Sequence, residues 1–279
     1  PKHPKKAADW VYSTVTELDS ITSMYDFHIY ADQDLIRSGN FTDYLKPFLS
    51  KINETKKPFV LGELGMKYSG ELKIENTKRG NEDSFAGPDD SSMFVYDYFY
   101  GVDMVDAAIQ SMLAGVGGTI AWDLDDAMHT VGDLGEKNQL KKWGMWNILS
   151  EEFGDLEVDK KPRPWAYSWT LLCNLFPPKS EIYQSKLSVE NDSLRAIAAT
   201  FKDDFSAVIV NQSKTKNTFR LTTNLISKNK KLYVYEYSEK NKPVNKDGFP
   251  IVTREINSED LFFEVKGNSI VFISSIVVD

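Results

Sequence analysis

Three short apolar or aromatic runs alternate with segments of helical periodicity, and this alternation constrains the fold more than any other feature. The runs are Met24-Tyr25-Asp26-Phe27-His28-Ile29-Tyr30, Phe59-Val60-Leu61 and Thr119-Ile120-Ala121-Trp122. Runs of this length, rich in aromatic or β-branched residues, read as strands. Helical spacing predicts helices over 7–19, 41–54 and 97–114, with two more near 137–152 and 164–175. Asn40 is the candidate N-cap of the second. The third carries the stripe Val102, Val105, Ala108, Ile109 and Met112, reads as amphipathic, and stops at Gly115. Helix and strand in strict alternation, with short buried strands, are the pattern of a parallel sheet covered by helices. Between the second and third runs lies a polar stretch over 67–92, read as a long loop that shapes a cleft.

The texture changes after Pro177-Pro178. Short β-prone runs follow at 194–200, 205–211, 219–223, 232–237, 261–265 and 270–278, separated by turns such as Lys246-Asp247-Gly248 and Lys266-Gly267-Asn268. This reads as an antiparallel sandwich over 179–279, behind an α/β part over 1–178. Three strands cannot close a barrel, which takes about eight. The rest of the sheet is therefore expected from an upstream segment or a second chain, unless the α/β part is a small open layer.

Charge and cysteine content exclude several classes. The 279 residues carry a formal net charge of −8, which disfavours nucleic acid as a partner. The single cysteine, Cys173, permits no intrachain disulfide and reads as a small buried apolar residue. No apolar stretch reaches the length of a membrane span. Nucleotide-binding glycine motifs, the zinc-protease motif and the serine-hydrolase elbow are missing. No cofactor or metal is expected.

Chemically strong residues cluster at the ends of the three strands. Glu63 ends the second, between Gly62 and Gly65, where small residues leave room for a ligand. A carboxylate there must be paired or solvated, so an ion-paired structural role stands beside a functional one. His28 and Tyr30 are two apart on one strand and share a face. Both can hydrogen-bond to a hydroxylated ligand or to a carboxylate, with a satisfied core histidine beside an aromatic as the alternative. Asp26 shares their face and reads as a deeper structural partner. Trp122 offers either a flat stacking surface or ordinary core area. Asp123, Asp125 and Asp126 could meet hydroxyl groups or a cation, although a solvated loop accounts for at least two of them.

Taken in order, these segments resemble clan A glycoside hydrolases, of families 5, 39 and related type. Tyr25-Asp26-Phe27-His28-Ile29-Tyr30 is similar to their sixth barrel strand, and Pro58-Phe59-Val60-Leu61-Gly62-Glu63-Leu64-Gly65 to their seventh. Gly118-Thr119-Ile120-Ala121-Trp122 is similar to the eighth. Lys161-Pro162-Arg163-Pro164 before a closing helix, followed by a sandwich, also matches. The resemblance implies a TIM-barrel portion, strands six to eight, and a retaining mechanism on a β-linked glycan. It makes Glu63 the nucleophile, places His28, Tyr30 and Asp123 against the substrate and makes Trp122 the stacking platform. It further implies an extracellular or periplasmic location. The acid/base glutamate of that clan precedes the matching region, so the chain by itself is expected to be inactive. Two other readings remain: a non-catalytic carbohydrate-binding protein on the same scaffold, and a structural or interaction protein whose working part is the sandwich.

Overall fold

In the computed structural model the described residues are 4–87, 91–126, 140–154, 157–188, 191–259 and 261–278. The first half runs α1 (Pro4–Leu18), β1 (Tyr25–Asp32), α2 (Gln33–Arg37), α3 (Phe41–Thr55), β2 (Phe59–Lys67), α4 (Gly70–Glu82), α5 (Tyr98–Ala114), β3 (Gly118–Ala121), α6 (Ser150–Phe153) and α7 (Pro164–Leu175). β1, β2 and β3 form a three-stranded parallel sheet in that order, with β1 and β3 at its edges. One face of the sheet is packed: Tyr25, Ile29 and Leu61 bury against Val15, Phe41, Leu45, Phe48 and Ile52 of α1 and α3. Phe27 meets the Phe59 ring edge-on at 5.2 Å, tying β1 to β2 on the same side.

The second half holds β4 (Glu181–Gln184), β5 (Leu194–Phe201), β6 (Asp204–Asn211), β7 (Asn217–Arg220), β8 (Lys231–Tyr237), β9 (Arg254–Asn257), β10 (Phe262–Val265) and β11 (Ser269–Ser274). A six-stranded sheet in the order β4-β5-β6-β11-β8-β9 pairs antiparallel throughout, and β7 pairs with β10 in a small second sheet. The period of two along these strands divides their side chains between two cores. Ile197, Val208, Val210, Ile270 and Phe272 join the core of the α/β part. Ala198, Ala207, Ile209, Val271 and Ile273 pack with Phe263 and Val265 in the other.

α5 lies between the parallel sheet and the six-stranded sheet and is buried from Tyr100 to Ser111. Its polar side is therefore not the solvated face expected of an amphipathic helix. Asp103, Asp106 and Gln110, spaced as neighbours along one helix face, are fully buried. Arg37 of α2 grips Asp103 at 2.8 and 3.0 Å, and Arg195 of β5 grips Asp106 with two nitrogens. Gln212 donates to both aspartates, at 3.0 and 2.9 Å. The gap between the two sheets is thus closed by paired charges on one side of α5 and by apolar packing on the other.

Several expectations fail for local reasons. The stretch over 67–92 contains α4, whose exposed surface carries the spaced pairs Glu75–Arg79 and Lys78–Glu82. Charge pairs four apart support a helix without an apolar stripe, so periodicity did not reveal it. The helix expected over 137–152 is not formed over 140–149, and only the short α6 follows; 137–139 lie outside the described residues. There Gly144 sits so close to the backbone of Asp125 and Asp126 that a Cβ would stand 2.4 Å from the former's carbonyl carbon. Asn40 donates to Ser38 Oγ, while Gln110 Oε1 accepts from the Phe41 amide at the start of α3. Cys173 lies on the exposed side of α7, not in the core. β4, β9 and α2 were not anticipated.

Candidate active site

β2 carries an extra residue where it crosses its neighbours. Against β1, Phe27 pairs with Leu61 and His28 with Glu63; against β3, Thr119 pairs with Leu61 and Ala121 with Leu64. The surplus residue falls at Gly62-Glu63 on both sides, which makes this a bulge in β2 itself. Bulges re-aim side chains. Leu61 and Leu64 remain fully buried on the helix-covered side, while the Glu63 side chain is 21% exposed.

Around that carboxylate the side chains expected from β1 converge. Tyr30 Oη donates to Glu63 Oε2 at 2.6 Å. His28 Nδ1 lies 3.2 Å from Glu63 Oε1, and its other nitrogen 3.6 Å from Asp26 Oδ2. His28 is half exposed, so it is no packed core histidine. The Tyr30 pKa is raised, first by burial and then by its hydrogen bond to Glu63, with a smaller push from Asp123. The phenol therefore stays a donor over the whole neutral range, and the Asp123 carboxylate lies within electrostatic reach of it. Lys67 Nζ stands 5.6 Å from the centre of the Tyr30 ring.

The end of β3 completes the group. The Trp122 amide donates to Leu64 O at 2.9 Å, and the indole faces Trp143 at 6.1 Å between ring centres. The Trp122–Asp123 peptide bond is cis. Asp123 Oδ1 accepts from the next amide, Leu124 N, at 2.6 Å. The other two acidic residues of this loop have structural roles. Asp125 accepts from Ile148 N at 2.8 Å. Asp126 is buried in an ion pair with Arg163, whose guanidinium also donates to Gly144 O and lies over the Tyr96 ring. The solvated-loop account therefore fails for Asp126. Among the described residues no set of three His, Cys, Asp or Glu side chains could hold a metal ion.

His28 and Tyr30 of β1 thus gather round Glu63. Glu63 does not end its strand as the sequence suggested: it sits midway along β2, which runs on to Lys67, whereas Trp122 and Asp123 directly follow the end of β3. Sequence reasoning placed Asp26 too deep: its side chain is 45% exposed, and its carboxylate accepts from Gly62 N at 2.7 Å. The regular spacing of Asp26, His28 and Tyr30 along one face was the signal for it. The cluster lies on the open face of the sheet. A groove of about 650 Å³ lies in the sandwich over Ala196, Ala198 and Ala207.

No protein-family model matches the chain, and no curated protein matches it significantly. Solved structures do match. A β-porphyranase of glycoside hydrolase family 86 from Bacteroides plebeius aligns over 96% of this chain and 44% of its own, with a TM-score of 0.55 and 11% identity. The family 51 arabinofuranosidase from Xanthomonas axonopodis pv. citri aligns over 96% and 55%, with a TM-score of 0.57 and 11% identity. The fold is glycosidase-like. A conserved exported protein from Bacteroides fragilis aligns over 93% and 47%, with a TM-score of 0.57 and 12% identity. At such identities the likeness concerns the glycosidase-like fold alone. The chain spans about half the length of these structures. Among the described residues no helix is long and apolar enough to cross a membrane.

Proposed function

We propose that the chain supplies the nucleophile half of a retaining glycoside hydrolase acting on a β-linked glycan. The observation that carries this reading is the Glu63 carboxylate turned out by the bulge in β2, with Tyr30 donating to one oxygen and His28 beside the other. In this reading the Tyr30 hydroxyl and the His28 imidazole hold the carboxylate in the orientation that attack requires. In this reading Glu63 attacks the anomeric carbon and the bond to the leaving oxygen breaks. A second carboxylic acid protonates that oxygen, then draws a proton from water as the water displaces Glu63. Trp122 stacks on a sugar ring, and Asp123 and His28 meet its hydroxyls.

The second carboxyl must stand about 5–5.5 Å from the first in a retaining enzyme. We assign it to further barrel strands, in the same polypeptide or a second chain, that pair with β1 and β3 as strands six and eight of a TIM barrel. An exposed apolar side chain on the edge strand supports this: Ile120 on β3 is 62% exposed. Residues 1–178 then form part of the catalytic domain and 179–279 a stabilising sandwich, in an extracellular or periplasmic protein.

The test is mechanism-based trapping in a preparation containing both barrel halves. A 2-fluoro-glycoside should leave its mass on the peptide bearing Glu63, and Glu63→Ala should abolish turnover and regain it with azide. Unchanged hydrolysis in Glu63→Gln overturns the assignment. Sugar binding without turnover in the complete barrel would instead leave the non-catalytic carbohydrate-binding alternative.

A further inference from the structure

The bulge that turns Glu63 toward the open face has a second side. Gly62 is the surplus residue, so its amide is outside the regular ladder to β1. A backbone N–H needs an acceptor. Asp26 Oδ1 provides it at 2.7 Å, although Asp26 is paired in the ladder with Val60, two residues earlier. The contact is therefore made by the side chain reaching along β2 and is not a by-product of register. The carboxylate lies directly against the bulge: a Cβ at residue 62 would stand 2.3 Å from Oδ1 and 2.5 Å from Oδ2. The other oxygen is 3.6 Å from His28, whose opposite nitrogen faces Glu63. One half-exposed carboxylate thus touches the backbone immediately before Glu63 and the imidazole beside it.

We propose that Asp26 is a positioning residue for Glu63: it clamps the Gly62 amide and so fixes the direction in which the bulge presents the carboxylate. This rests on the reading of Glu63 as the reacting group. The clamp needs an acceptor oxygen at residue 26 and a glycine at 62. It touches no substrate. A small shift of a reacting carboxylate reduces rate far more than it reduces binding.

Asp26→Ala and Asp26→Asn separate the clamp from general stability. In the 279-residue chain, the Gly62 amide should exchange with solvent about tenfold faster or more in Asp26→Ala, with the remaining core amides unchanged as a control on folding. Asp26→Asn keeps a carbonyl acceptor and should restore most of that protection. In a preparation with both barrel halves, Asp26→Ala should lower kcat by roughly 10- to 100-fold with KM little changed, and Asp26→Asn should recover most of the loss. Wild-type exchange at Gly62 in Asp26→Ala, or wild-type kcat in that variant, overturns the proposal. Equal losses in the Ala and Asn variants also overturn it, because the clamp does not require a charge. Glu63→Ala with wild-type turnover would instead remove the reading on which the positioning role rests, whatever Gly62 does.

Discussion

Tyr30 and Glu63 are joined by a 2.6 Å hydrogen bond although they are not opposite each other in the sheet. Tyr30 is opposite Gly65, and Glu63 is opposite His28. The phenol reaches its partner diagonally because Gly65 has no side chain: a Cβ there would stand 2.7 Å from the Tyr30 ring. The bulge and the glycine thus act together, one turning the carboxylate and the other making space for its donor.

Removing the donor tests this relationship directly. Tyr30→Phe keeps the ring and deletes the hydroxyl. A hydrogen bond to a charged group contributes about 1.5–3 kcal/mol, equivalent to roughly 10- to 100-fold in rate if it acts in the transition state. The expected outcome is a loss of that order in kcat for a preparation with both barrel halves. Unchanged kcat would mean that the phenol does not orient Glu63 during reaction.

Gly65→Ala should disturb the same bond without replacing either partner. The added methyl forces the Tyr30 ring to move, and overpacking of this kind costs about 1–3 kcal/mol. Chemical denaturation should show a loss of that size. A crystal structure of the variant should show the phenol displaced from Glu63.

The buried charges on α5 predict a larger effect. Asp106 is fully buried and paired with Arg195 from β5. Removing one member of a buried pair leaves the other uncompensated, at about 3–5 kcal/mol. Arg195→Ala should lower unfolding stability by this amount in urea titration. Replacing both partners with apolar residues should cost less than the single change. Additive costs for the two changes would contradict the pairing.

High pH should expose the buried phenols. The Tyr25 pKa is pushed up to about 12 by burial and by its bond to Asp19, and burial also raises those of Tyr96 and Tyr167. An unfolded tyrosine titrates near 10. The folded chain therefore holds protons that the unfolded chain releases. The stability these groups contribute is intact below about pH 10 and, for Tyr25, is lost as pH rises through about 12. Phenolate absorbance should rise in two steps, with the second coinciding with loss of the circular dichroism signal. A single smooth titration near pH 10 would show that these tyrosines are not protected.

Much of the scaffold is a local property of the chain. The composition of the runs ending at Tyr30, Glu63 and Trp122 marks them as strands wherever they are placed. The stripe of α5 and its Gly115 stop are equally local, and Gly115 adopts the left-handed conformation that ends the helix. Alternation along β1 likewise puts His28 and Tyr30 on one face before any partner strand is known. α4 escaped because charge pairs replace an apolar stripe, and the segment over 140–149 misled because its backbone bonds to the loop after β3, through Met145, Trp146 and Ile148, in place of its own helix.

What the sequence determined by itself is therefore the alternation of elements, the faces of the strands and the presence of a carboxylate, Glu63, in the second of them. The tertiary structure decided the surplus residue in β2, the Asp26 contact to Gly62, the diagonal reach of Tyr30 and the burial of the charged side of α5. The physical reason is range. Periodicity and strand propensity act between residues a few positions apart. Register, by contrast, is settled between segments separated by dozens of residues, where Gly62 differs from any other small residue only through what lies across from it.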